Sequence, residues 1–272
     1  MRGWAYAKIN LTLEVLGRRA DGYHDLVSVM QTISLADELT FEPGTDLTLD
    51  CDAPNLAGPD NLVLKAARLL KATGHFVLRK RIPEGGGLGG GSSDAALALR
   101  LIAASGWRLS PDELHAAAAQ LGSDVPFFLY GGTCLVEGRG ERVQPLSDLP
   151  PYWLTLVNPG VPLSTAAVFG DLRPDEYGTG SLTREWLASA ARRDALPPPV
   201  NSLEPAAARL QAAVGACRSR LIAAGAERVL LSGSGPTVFA IGPNESQARR
   251  LAQASGGIAA RFVSRDEAQT LS

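Results

Sequence analysis

Six of the seven residues from 85 to 91 are glycine, and the run Gly85-Gly86-Gly87-Leu88-Gly89-Gly90-Gly91-Ser92-Ser93 leads straight into residues 94–104, an Ala- and Leu-rich stretch with strong helical propensity. Residues 75–82, just upstream, read as a strand that ends at Pro83. A glycine run set between a strand and a strong helix constrains the fold more than any other feature. With no Cβ atoms, its backbone N–H groups can turn inward on one anion, and the helix start adds unpaired amides and the positive end of its dipole. Ser92 and Ser93 offer hydroxyls to phosphate or metal. The bland alternative is a flexible surface loop, but flexible linkers rarely sit directly between a strand and a strong helix. Gly85, Gly87 and Gly90 satisfy a dinucleotide-binding pattern only trivially, because any glycine run does. A Walker loop needs lysine before Ser92, where Gly91 stands.

The rest of the chain mixes strands and helices without strict alternation. That argues for an α+β architecture over a doubly wound parallel sheet. Ile9, Leu11, Leu13 and Val15 alternate with Lys8, Asn10, Thr12 and Glu14, the pattern of a half-buried first strand. Further strands are expected at 27–35, 39–41, 47–51, 133–137, 152–157, 229–231, 237–241 and 258–263. Helices are expected at 61–73, 111–121, 183–191, 205–224 and 246–254, with a possible helix start at 164–169. The connection at 149–151 suggests a division into residues 1–150 and 151–272.

A net charge of -2 carries no electrostatic footprint for nucleic acid. The longest uncharged stretch, 149–170, contains Pro150, Pro151, Pro159 and Pro162 and cannot be a membrane helix. The N-terminal residues lack a signal-peptide layout. Cys51, Cys134 and Cys217 are far apart, odd in number and without a CxxC spacing, so a reducing, cytoplasmic setting is expected.

Four weaker signals carry chemistry only in combination. Lys8 and Asn10 share the polar face of the first strand, which alone would be a solvated face. Asp124 precedes Val125-Pro126-Phe127-Phe128 and could simply cap a short helix. Tyr23 and His24 sit in the turn Ala20-Asp21-Gly22-Tyr23-His24, where a lone histidine is usually structural. Ser232-Gly233-Ser234-Gly235-Pro236 could be an ordinary hairpin.

In order along the chain these signals resemble the GHMP kinases. Ala7-Lys8-Ile9-Asn10-Leu11 resembles the family's first motif. Lys80-Arg81-Ile82-Pro83, followed by Gly87-Leu88-Gly89-Gly90-Gly91-Ser92-Ser93-Asp94, resembles its phosphate loop. Ser232-Gly233-Ser234-Gly235-Pro236-Thr237 resembles its third motif. The Tyr23-His24 turn, Gly122-Ser123-Asp124-Val125-Pro126-Phe127-Phe128 and Asn201-x-Leu203-Glu204 are similar to the branch whose acceptor is a cytidine diphosphate-linked polyol. The resemblance runs from residue 5 to about 240.

The resemblance implies a two-domain fold, the N-terminal part like ribosomal protein S5 domain 2 and binding ATP, the C-terminal part ferredoxin-like. It implies ATP with Mg²⁺ on Lys80, Pro83, Gly85, Gly86, Gly87, Leu88, Gly89, Gly90, Gly91, Ser92 and Ser93. The metal's protein ligand is unassigned, with Ser93 a candidate. Asp124 corresponds to the catalytic base and Lys8 to its partner. Asn10, Tyr23, His24, Asp124 and Phe169 correspond to acceptor contacts, with Tyr23 and Phe169 enclosing the cytosine. Neither nucleic acid nor membrane is an implied partner, and a monomer or weak homodimer is expected. Glu84 and Ser202 depart from the family pattern. The competing readings are a homoserine- or mevalonate-type GHMP kinase, a family member that binds without catalysis, and an unrelated dinucleotide-binding enzyme.

Overall fold

The computed structural model describes residues 1–191 and 196–271. The chain opens with β1 (Arg2–Arg18) and β2 (His24–Pro43), which form a long antiparallel ribbon. The expected strands at 27–35 and 39–41 are thus one strand. β3 (Leu47–Cys51), α1 (Leu62–Leu69) and β4 (Gly74–Arg79) follow. The helix expected at 61–73 starts on the Asn61 cap but ends at Leu69, because Lys71 takes a left-handed φ of 53°. α2 (Gly90–Ala104), α3 (Pro111–Leu121), α4 (Val125–Tyr130), β5 (Thr133–Gly138) and β6 (Arg142–Pro145) complete the first half. β4 takes one end of the outer edge of β2, pairing along Glu38–Pro43, and β5 takes the other, pairing along Leu26–Gln31.

The second half contains β7 (Trp153–Val157), α5 (Thr165–Gly170), α6 (Ser181–Ala191), β8 (Val200–Asn201), α7 (Glu204–Leu210) and α8 (Ala212–Ala223). It continues through β9 (Val229–Leu231), β10 (Val238–Gly242), α9 (Glu245–Ser255), β11 (Ile258–Arg261) and α10 (Arg265–Ala268). Its sheet is antiparallel with order β11-β7-β10-β9, the arrangement of a split βαβ unit. β8 does not join this sheet; it pairs parallel with β1 through Thr12 and Leu13. The single helix expected at 205–224 is two helices, broken at Gln211, where φ is -141° and the side-chain oxygen caps α8 at Ala213 N.

Three apolar clusters position the elements. Phe41, Phe76, Leu78, Leu99 and Leu101 pack between the first sheet and its helices. Phe41 and Phe76 stack with centroids 4.4 Å apart, and truncation of such a ring to alanine costs about 3–5 kcal/mol. Ile9, Leu11, Ile33, Leu156, Phe239 and Phe262 form the second cluster, between the two sheets. Val157, Leu203, Val214, Leu221 and Leu231 form the third, under α7 and α8.

β1 is therefore covered on both faces, which corrects the half-buried reading. Lys8, Asn10, Thr12 and Glu14 are as buried as the apolar residues between them. Buried polar side chains need partners, and those of Lys8 and Asn10 help to build the site. No helix among the described residues is long and apolar enough to cross a membrane.

Candidate active site

The helix after the glycine run begins earlier than its propensity suggests, at Gly90, because Gly89 turns the chain with φ 72°. Gly89 has no side chain to cap with, so the first-turn amides up to Ser92 have neither an intrahelical acceptor nor a side-chain cap. α3 shows the contrast: there Ser110 and Glu113 form a complete capping box. The open N-terminus of the fifteen-residue α2 is a ready anion site.

The second glycine turn holds this loop from behind. Ser232 Oγ donates to Gly87 O at 3.0 Å, and Thr237 N donates to Gly86 O at 3.2 Å. A Cβ on Gly87 would lie 2.2 Å from Ser232 O, so the two backbones approach where only glycine fits. Asn201 fixes the turn in its own right, with Nδ2 donating to Leu231 O and Gly233 O and Oδ1 accepting from Leu203 N. Glu204 accepts from Leu231 N and Arg218. The Asn201-x-Leu203-Glu204 motif is thus a bolt for the turn, while Ser202 contributes its backbone N–H to Leu13 O.

Beside the loop, Lys80 Nζ sits between Asp37 and Asp94. Asp37 also accepts from the Arg81 and Ile82 amides, anchoring the chain that feeds the loop. Burial works against the charge on Lys80, but Asp94 and Asp37 outweigh it and hold its pKa above the usual value. Burial, and then repulsion from Asp37, push the Asp94 carboxyl up to about 7 against the pull of Lys80.

Lys8 lies on the other side of the loop. Its N–H donates to Leu88 O, and its Nζ donates to Asn10 Oδ1 at 2.8 Å. Asn10 passes the chain on to Ser28 Oγ at 2.8 Å, and Ser28 in turn to Thr12 O. Asp124 Oδ2 stands 3.5 Å from Lys8 Nζ. Asp124 occupies the N-cap of α4, yet its side chain makes no capping hydrogen bond there. It stays one-third exposed while Lys8 is sealed in.

The glycine loop, Lys80, Asp94, Lys8, Asn10 and Asp124 border one cavity of about 1060 Å³. Lys80, Pro83, Gly85, Gly86, Gly87, Gly89, Gly90, Gly91 and Ser92 line it, as do Lys8, Asn10, Tyr23, His24, Asp124 and Phe169. Leu88 and Ser93 do not. The Leu88 side chain is buried in the inter-sheet cluster, and Ser93 Oγ donates to Tyr6 O. Glu84 sits at the rim, where its carboxylate accepts from Asn55 Nδ2 at 2.7 Å.

Comparisons with known proteins agree with this geometry. The description "GHMP kinases N terminal domain" matches residues 61–132, and "GHMP kinases C terminal" matches residues 181–255. A 4-diphosphocytidyl-2-C-methyl-D-erythritol kinase of Nitrobacter hamburgensis is 44% identical, over 92% of this chain and 89% of the relative. The chain belongs to the GHMP kinase family. A kinase of the same name from Moorella thermoacetica is 43% identical over 91% of this chain and 92% of its own. The crystal structure of a 4-(cytidine 5'-diphospho)-2C-methyl-D-erythritol kinase superposes with TM-score 0.83 at 40% identity, covering 96% of this chain and 98% of that one. This GHMP kinase is therefore an enzyme, a small-molecule phosphotransferase with the two-domain α+β fold of its family.

In this GHMP kinase the far end of the cavity is aromatic. Tyr23 is half exposed, and the Arg139 guanidinium lies 4.7 Å from its ring centroid. Phe169 stands against His24 at 5.1 Å. Sequence reasoning missed Asp37, Arg139 and Tyr177. Asp37 and Arg139 sit among other charges, beside Glu38 and between Glu137 and Glu141, and the partners that bring them to the site, Lys80 and Tyr23, lie more than forty and one hundred residues away in sequence. Tyr177 follows a proline-bearing loop that carries no periodic signal.

Proposed function

We propose that this enzyme transfers the γ-phosphoryl group of ATP to the 2-hydroxyl of 4-diphosphocytidyl-2-C-methyl-D-erythritol, a step of the non-mevalonate route to isoprenoids. The observation that carries the reading is the Lys8–Asp124 pair. It stands between an uncapped, glycine-lined helix start and an aromatic end within one cavity. Phosphoryl transfer asks a protein mainly for in-line positioning and charge stabilisation. The glycine loop cradles the phosphates; Asp124 accepts the hydroxyl proton as the new bond to phosphorus forms; Lys8 stabilises the charge on the transferring group. Asn10 holds the Lys8 ammonium in place. Tyr23, His24 and Phe169 receive the cytosine, for which flat apolar faces are suited.

The described residues contain no cluster of three or more His, Cys, Asp or Glu side chains that could hold a metal ion. Asp37 and Asp94 are committed to Lys80. The donor set therefore fits a Mg²⁺ bound chiefly by phosphate oxygens and water, the usual habit of that ion. Bound in this way it neutralises polyphosphate charge.

The test is ADP release with a panel of alcohols. The proposal expects rapid, saturable release with the cytidylylated methylerythritol and background rates with homoserine and mevalonate. Turnover of either rival at a comparable kcat/KM would reassign the acceptor.

A further inference from the structure

Two aromatic rings stand against His24. Phe169 lies 5.1 Å from the imidazole centroid, and Tyr177 is stacked on it at 6.2 Å with an interplanar angle of 23°. Tyr177 also lines the cavity, yet none of the motifs in the sequence includes it.

The segment carrying Tyr177 is pinned at both ends. On one side, Arg209 of α7 bridges Asp171 and Glu176, and its guanidinium holds the Glu176 carboxyl well below the usual range, at about 2. On the other side, Gly178 N donates to Val15 O, and the buried carboxylate of Glu14 accepts from Gly180 N at 3.1 Å and Thr183 N at 2.7 Å. A register shift between Asn10 and Thr12 turns Glu14 to the opposite face of β1 from Lys8 and Asn10. One strand therefore carries both the phosphoryl-transfer residues and the anchor for the segment behind His24.

We infer that Tyr177 is a positioning residue, whose ring fixes the His24 imidazole for the nucleobase end of the acceptor and acts through His24, not on the reacting atoms. The inference rests on the proposed acceptor. Burial, and secondarily Arg18 at the end of β1, lower the His24 pKa. Arg139 is the other cation on this part of the cavity wall, and nearby Asp25 is engaged by Arg19. A neutral, fixed imidazole offers one donor and one acceptor, which suits the hydrogen-bonding edge of an uncharged pyrimidine.

Tyr177→Ala removes the stacked face; Tyr177→Phe retains it. An aromatic pair of this kind is worth about a three- to tenfold change in affinity. The expected result is a rise of that size in KM for the cytidylylated acceptor in Tyr177→Ala, with kcat and the KM for ATP unchanged and Tyr177→Phe near wild type. In a His24→Ala background, Tyr177→Ala should add almost nothing, the coupling expected of residues in contact.

A second readout needs no turnover. The chain has only three histidines, so the His24 ring proton can be followed by NMR through a pH titration of the free protein. Tyr177→Ala admits water, so the His24 midpoint should move up, towards the ordinary value of about 6.5. An unmoved midpoint, or fully additive losses in the double variant, would overturn the inference. If wild-type enzyme fails to phosphorylate the cytidylylated acceptor, the functional reading fails instead, and the titration still decides whether Tyr177 governs His24.

Discussion

Replacing Asp124 with asparagine should lower kcat by about two to four decades, the usual scale for loss of a positioned general base. ATP affinity and thermal stability should hold. Stability is spared because the Asp124 side chain caps nothing, although it sits at the start of α4. Its contact with the protein is the 3.5 Å approach to Lys8, and Lys8 keeps its 2.8 Å hydrogen bond to Asn10 without it. Asparagine preserves shape and polarity but cannot take up the acceptor's proton. Steady-state kinetics with a melting curve reads the outcome. Near-normal turnover by a well-folded variant would remove Asp124 from the chemistry.

Gly89→Val should weaken ATP binding by at least about thirtyfold with the fold retained. Gly89 has φ 72°, and a Cβ there would meet the Phe128 ring at 2.7 Å. A β-branched residue opposes positive φ at about 1–3 kcal/mol, and overpacking adds a comparable cost. Together these are about 2–6 kcal/mol, or at least roughly one and a half decades in a dissociation constant. The loop can relieve that strain only by abandoning the turn that opens the α2 amides. Gly85→Ala is the control: φ is 61° there too, but a Cβ would meet nothing within 4 Å. It should cost far less. Calorimetry of ATP binding, with circular dichroism to confirm the fold, separates the two variants; equal affinities for Gly89→Val and wild type would contradict the loop's role.

The sequence placed the glycine loop, the helix at 111–121 and most strands correctly because each is specified by neighbouring residues. Ser110 and Glu113 make a local signal, as do Gly89 and the helix it starts. The polar face of β1 could not be read this way. Its alternation predicts solvent, but the second sheet covers the Ile9 and Leu11 face, the register shift after Asn10 turns Glu14 to that side against the Gly180 and Thr183 amides, and Lys8 and Asn10 face the glycine loops. That burial depends on residues far along the chain, from Leu88 beside Lys8 to Thr183 beside Glu14. The break at Gln211 was invisible because residues 205–210 and 212–224 are both good helix formers. Tertiary anchors override the propensity: Arg209 is tied to Asp171 and Glu176, and Glu204 to Leu231 N. Of the expected site residues, those on β1, the loops and α5 line the cavity, apart from two. Leu88 and Ser93 do not, since their side chains fall on the inward turns of the loop and of α2.

Phosphorus NMR of the product formed from ATP and 4-diphosphocytidyl-2-C-methyl-D-erythritol tests the central claim most directly. The account predicts one new phosphomonoester on the acceptor's 2-hydroxyl for each ADP released, with the acceptor's own diphosphate intact. ADP accumulating without that monoester, or a phosphate carried on a different hydroxyl, would contradict it.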